Sequence, residues 1–100
     1  MAARFQLAAL AESQIGDILE FIAADNVAAA TRVRNAFYES FQQLAEMPQM
    51  GHTRTDLTAR PVKFWSVFSY LVVYDPGRLP LTIVAVLHGA RDLAKLLENL

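Results

Sequence analysis

The 100 residues, 54% of them hydrophobic, are enough for one domain with its own core and too few for a second. No cysteine is present, which excludes a disulfide framework and a thiolate metal site, and no apolar run approaches the roughly 18 residues of a membrane span. The net charge of −1 hides a polarity: residues 1–47 hold three arginines against six carboxylates, whereas residues 48–91 hold Arg54, Arg60, Lys63, Arg78 and Arg91 against Asp56 and Asp75, so an acidic partner is expected at the second half.

In chain order, Phe5 to Leu7 reads as a short edge strand. Ala11, Ile15, Ile18, Leu19 and Ile22 recur at helical spacing opposite Glu12, Ser13, Asp17 and Glu20, which predicts an amphipathic helix ending near Ala24. Asp25 and Asn26 are N-cap candidates for a second helix, whose apolar stripe is Ala30, Val33, Phe37, Phe41 and Leu44 and which Pro48 and Gly51 stop. Neither helix can bury its stripe alone, and the connection is short, so the two should fold back as an antiparallel hairpin.

Gln49 to Ala59 is polar and reads as a surface connection. The period then changes. Pro61 to Trp65, Tyr70 to Tyr74 and Leu81 to Leu87 are rich in β-branched and aromatic residues and predict three strands, the last two joined by an Asp75-Pro76-Gly77 turn with Pro80 at a sheet edge. Gly89 allows a sharp exit, and Leu93, Leu96, Leu97 and Leu100 fall at the spacing of a short terminal helix. The expected class is a single α+β domain over residues 1–100: an N-terminal short strand, an antiparallel two-helix hairpin packed on a small, mainly antiparallel twisted sheet, and a short C-terminal helix. The outer surface of the sheet is expected to be kept for another macromolecule.

Three segments in this order carry a resemblance. They are Leu44-Ala45-Glu46-Met47-Pro48-Gln49-Met50-Gly51, the run from Val62 to Tyr74 with its basic-aromatic start and Tyr-aliphatic-Tyr end, and Val86-Leu87-His88-Gly89-Ala90-Arg91-Asp92-Leu93. Together they resemble the ParE-type toxins of the ParE/RelE toxin–antitoxin superfamily, also described as plasmid stabilisation proteins. The resemblance implies a bacterial, cytoplasmic toxin that a ParD-like antitoxin, encoded beside it, holds inactive. ParE-type toxins poison DNA gyrase, whereas RelE-type relatives cut messenger RNA on the ribosome. Two positions depart from the family's pattern: Ala85 and Phe68 stand where basic or polar residues are common.

An RNA-cleaving relative needs a base for the 2′-hydroxyl, an acid for the leaving oxygen and a cation on the phosphate. The candidates are His88, Arg91, Lys63 and Arg60, with Tyr70 or Tyr74 as proton donor; a lone histidine at the end of an apolar strand is more often a structural hydrogen-bonder closing the strand-to-helix turn, a reading that Gly89 strengthens. Cations on this half are sparse and the tail Leu96-Leu97-Glu98-Asn99-Leu100 is apolar and acidic, so a protein target is preferred over RNA. Contacts with the target or antitoxin are expected from Arg60, Lys63, Trp65 and Arg91. Phe64 and Trp65 point to opposite faces of a strand, and an exposed Trp65 would anchor the antitoxin. Asp92 favours the start of the last helix, while Arg32 and Arg34 read as surface charges. His52 and His88 lack ligand spacing with an acidic cluster and no glycine-rich phosphate loop is present, so neither metal nor cofactor is expected. The antitoxin should be a short chain, partly disordered when free, that orders as it wraps the hairpin and sheet.

Overall fold

Two helices and four strands make up the α+β architecture that the computed structural model describes over residues 4–89 and at residue 92. In chain order they are β1 (Phe5–Leu7), α1 (Ala9–Ala23), α2 (Val27–Glu46), β2 (Lys63–Val67), β3 (Tyr70–Asp75) and β4 (Leu81–His88). The predicted terminal helix over Leu93, Leu96, Leu97 and Leu100 lies outside the described residues.

α1 begins without a side-chain cap, since Ala8 occupies the capping position. The Ala8 N–H instead donates to the Ile83 carbonyl at 2.9 Å, which fixes the helix start on β4. A missing cap costs about 1 kcal/mol. Burying a branched side chain such as Ile15 contributes about 1.5–3 kcal/mol, so packing and not capping holds α1 in place. At α2 the expected cap is present: the Asn26 side chain accepts from the Ala29 N–H at 2.9 Å. Ala30, Phe37, Phe41 and Leu44 form the buried stripe of α2, and the helix stops two residues before Pro48.

The strands lie in the order β1-β4-β3-β2. β2, β3 and β4 pair antiparallel, but β1 runs parallel to β4, with Phe5 opposite Leu81 and Leu7 opposite Ile83. The sheet is therefore mixed, because the helical hairpin carries the chain across between β1 and the remaining strands. β2 is displaced two residues from its expected span: it starts after Pro61 and ends at Val67, where Val67 pairs with Tyr70 and only Phe68 and Ser69 make the connection. Phe68 takes φ 54°, a left-handed conformation that costs a bulky residue about 1–2 kcal/mol. Between Val73 and Tyr74 the register with β4 shifts, and Val84 is the extra residue.

The shift lets Ile83 as well as Val86 face the helices. The main core accordingly joins Ala11, Ile15, Phe37, Phe41 and Leu44 to Val67, Val72, Tyr74, Leu81, Ile83 and Val86. The outer face of the sheet is not left open, contrary to expectation. Phe64, Val73, Ala85 and Leu87 are at most 2% exposed there and join Val62 in a second apolar cluster, with Leu57 packed against it. Alternation along β2 explains this: Phe64 serves the outer cluster and Trp65 packs half-buried against the main one, so both aromatics are used by the chain itself.

Candidate functional site

Tyr74 nails the long connection between α2 and β2 to the sheet. Its side chain is wholly buried, its hydroxyl donates to the Pro48 carbonyl at 2.7 Å, and it accepts from the Gly51 N–H at 2.9 Å. Burial pushes its pKa above the ordinary 10.0, with the Gly51 N–H acting in the opposite sense. A Cβ at Gly51 would overlap the Tyr74 hydroxyl and stand 2.7 Å from its Cε1, so only glycine fits. Tyr74 is thus committed to structure, which leaves Tyr70 of the two tyrosines considered as proton donors. From Gly51 the chain continues along the β2 edge, where His52 and Phe64 exchange two backbone hydrogen bonds of 2.8 Å.

Two of the five cations in residues 48–91 pair with the two carboxylates of the same stretch. Arg54 forms two hydrogen bonds with the Asp56 carboxylate, at 2.8 and 3.0 Å, which raises the Arg54 pKa and lowers that of Asp56. Arg78 pairs with Asp75 at 3.2 Å inside the β3–β4 turn, where Asp75 also accepts from the Gly77 N–H. Arg60 is exposed on the loop before β2. Lys63, half-buried at the start of β2, donates to the Thr53 hydroxyl at 3.2 Å. Arg91 lies outside the described residues. Arg34, read as a plain surface charge, stands 4.8 Å over the Tyr38 ring. Trp65 is half-buried and stacked on His52, with ring centroids 6.4 Å apart and planes 15° from parallel.

His88 sits at the opposite end of the sheet. It pairs with Tyr70, whereas Lys63 pairs with Tyr74 four residues along the same strand. At about 3.3 Å per residue and about 4.8 Å between strands, the two Cα atoms stand roughly 16 Å apart. Both side chains rise roughly perpendicular to the sheet, so Lys63 and His88 do not converge on one phosphate. His88 does meet Tyr70, with ring centroids 5.2 Å apart, and its backbone N–H donates to the Asp92 carboxylate at 3.1 Å, a bond that any non-proline residue at this position could make.

Around His88 lies a groove of about 380 Å³, lined by Gln14, Asp17, Ile18 and Phe21 of α1 and by Tyr70, Val86, His88 and Asp92. β1 ends at Leu7, so beyond it β4 has no strand on that side, and the Gln14 side chain takes the place of one by accepting from the Val86 N–H at 2.8 Å. Among the described residues the groove lining carries two carboxylates, Asp17 and Asp92, beside the apolar side chains of Ile18, Phe21 and Val86. Sequence reasoning missed Gln14 and Phe21. The hints were a glutamine within an apolar stripe and a phenylalanine, 82% exposed, outside it. Ala85, one of the two departures from the family pattern, is wholly buried, so its side chain is not available to a partner; Phe68, the other, is 69% exposed.

Among the described residues no group of three His, Cys, Asp or Glu side chains could hold a metal ion, and no helix is long and apolar enough to cross a membrane. Compared with family models, residues 5–93 match the one described as ParE toxin of type II toxin-antitoxin system, parDE. Compared with curated proteins, the chain gives no significant match.

Proposed function

Since this chain belongs to the ParE toxin family of type II toxin–antitoxin systems, we propose that it arrests growth by binding a protein target, DNA gyrase, in the bacterial cytoplasm, and that a ParD-like antitoxin neutralises it. The toxin role and the antitoxin partner follow from the family. The preference for a protein target over RNA is supported by one observation: among the described residues, one candidate cation and the candidate histidine of RNA cleavage are far apart. Lys63 and His88 stand at opposite ends of the sheet, and Arg54 and Arg78 are each paired with a local carboxylate. A ribosome-dependent endoribonuclease using His88, Arg91, Lys63 and Arg60 would require them to gather around a single phosphodiester.

The direct test is a supercoiling assay with purified gyrase and toxin. Inhibition of supercoiling or accumulation of cleaved DNA is expected; undiminished supercoiling at a large molar excess of toxin would sink the gyrase reading. The enzyme alternative is separated by His88→Ala. Loss of messenger RNA cleavage in that variant, with cleavage by the unmodified chain, would establish RNA as the substrate and overturn the protein target.

A further inference from the structure

The turn between β2 and β3 is built at odds with its own backbone. Val67 pairs with Tyr70, leaving a two-residue connection, and its first residue is a phenylalanine at φ 54°. Glycine, asparagine or aspartate are the residues such positions favour, because a side chain with a bulky Cβ substituent is strained in the left-handed region. Burial does not offset the strain, since Phe68 is 69% exposed and its neighbours Ser66 and Ser69 are exposed as well. The tip also lies close to the end of β4. The backbone at Gly89 comes so close that a Cβ there would lie 3.3 Å from the Ser69 carbonyl oxygen. An aromatic ring is therefore held out into solvent at the tip of a two-residue turn by a backbone that another residue would satisfy better. Backbone strain at an exposed residue is a physical ground for a functional hypothesis at that residue.

We propose that Phe68 is an anchor residue through which the toxin engages its target, inserting into an apolar pocket on a folded protein. This rests on the reading above that the toxin acts by binding a protein. A folded target is favoured over the antitoxin by shape. An exposed aromatic ring with few torsions to immobilise needs a preformed concavity, whereas a segment that orders on binding lays its own side chains into grooves.

The test compares the unmodified chain with Phe68→Asn and Phe68→Trp. Asparagine relieves the turn, so its melting temperature should rise by about 4 °C or more. The same variant should fail to arrest growth when expressed without antitoxin, and should need at least about 30-fold more protein to inhibit gyrase, the loss expected of an interface anchor. Tryptophan, which keeps an aromatic anchor, should retain growth arrest. A stabilised Phe68→Asn that arrests growth fully at equal expression would overturn the proposal. So would a variant that stays toxic but escapes the antitoxin encoded beside it, because Phe68 would then belong to that interface. If the unmodified chain arrests growth without inhibiting gyrase, the gyrase reading alone fails and the growth comparison still decides the role of Phe68.

Discussion

Tyr74 makes two hydrogen bonds where the sheet is driest, and its removal has a defined signature. In Tyr74→Phe the Pro48 carbonyl and the Gly51 N–H each lose a partner, so stability at neutral pH should fall by about 1–3 kcal/mol in urea unfolding. The pH dependence runs in a known direction. The folded-state pKa is raised above the ordinary 10.0, so this contribution is complete below about pH 10 and is lost as pH rises through the folded value. The native chain should weaken over that alkaline range, and Tyr74→Phe should weaken less steeply; parallel curves would mean that the phenol does not carry the dependence. Gln14→Ala is a comparable test on α1. It leaves the Val86 N–H without its partner, and a loss of about 1–3 kcal/mol is expected unless water replaces the amide. Neither role could be read beforehand. A tyrosine in a strand pattern and a glutamine in a helix pattern look the same whether their polar atoms meet solvent or a carbonyl brought in from 26 or an amide from 72 residues away.

At the level of elements, the helices were the legible part because their cause is local. The stripe of Ala30, Phe37, Phe41 and Leu44 and the Asn26 cap can be read from spacing alone, and the structure contains both. Asn26→Ala should therefore cost about 1 kcal/mol, measured as a shift of the unfolding midpoint with an unchanged urea dependence. A much larger loss would mean that Asn26 holds more than one helix end. The strands were legible as strands but not in their pairing. β2 slid by two residues because the Phe68-Ser69 turn that sets its register carries no glycine or asparagine to announce it. β1 was placed correctly from three residues, yet its parallel pairing depends on where two helices deliver the chain, which no local pattern encodes.

For the whole molecule, the charge map was legible, and folding shows which cations meet the two carboxylates of that half. Five cations over residues 48–91 suggested a basic surface, but Arg54 and Arg78 are taken up locally, leaving Arg60, Lys63 and Arg91 as candidates. Three phosphate contacts to a single strand correspond to a slope of about −2 in log K against log salt. Binding to a 20-nucleotide RNA, followed by fluorescence anisotropy across a salt series, should be no steeper than that; a slope twice as large would return RNA to consideration. The candidate site was half legible for a related reason. His88 was singled out by type, whereas its surroundings on α1 were hidden until the groove brought Asp17 and Phe21 beside it.

The pairing of β1 with β4 bears on how the chain is made. Phe5 to Leu7 find their partners in Leu81 to Ile83, and Gln6 donates to the Thr82 hydroxyl, 76 residues away in sequence. During synthesis the first strand has nothing to join until that distant segment has cleared the ribosome, and contacts of such long range form late. Translation therefore delivers this domain to the cell in a form whose sheet can close only once nearly every residue of it has emerged, which gives a partner made beforehand time to be waiting.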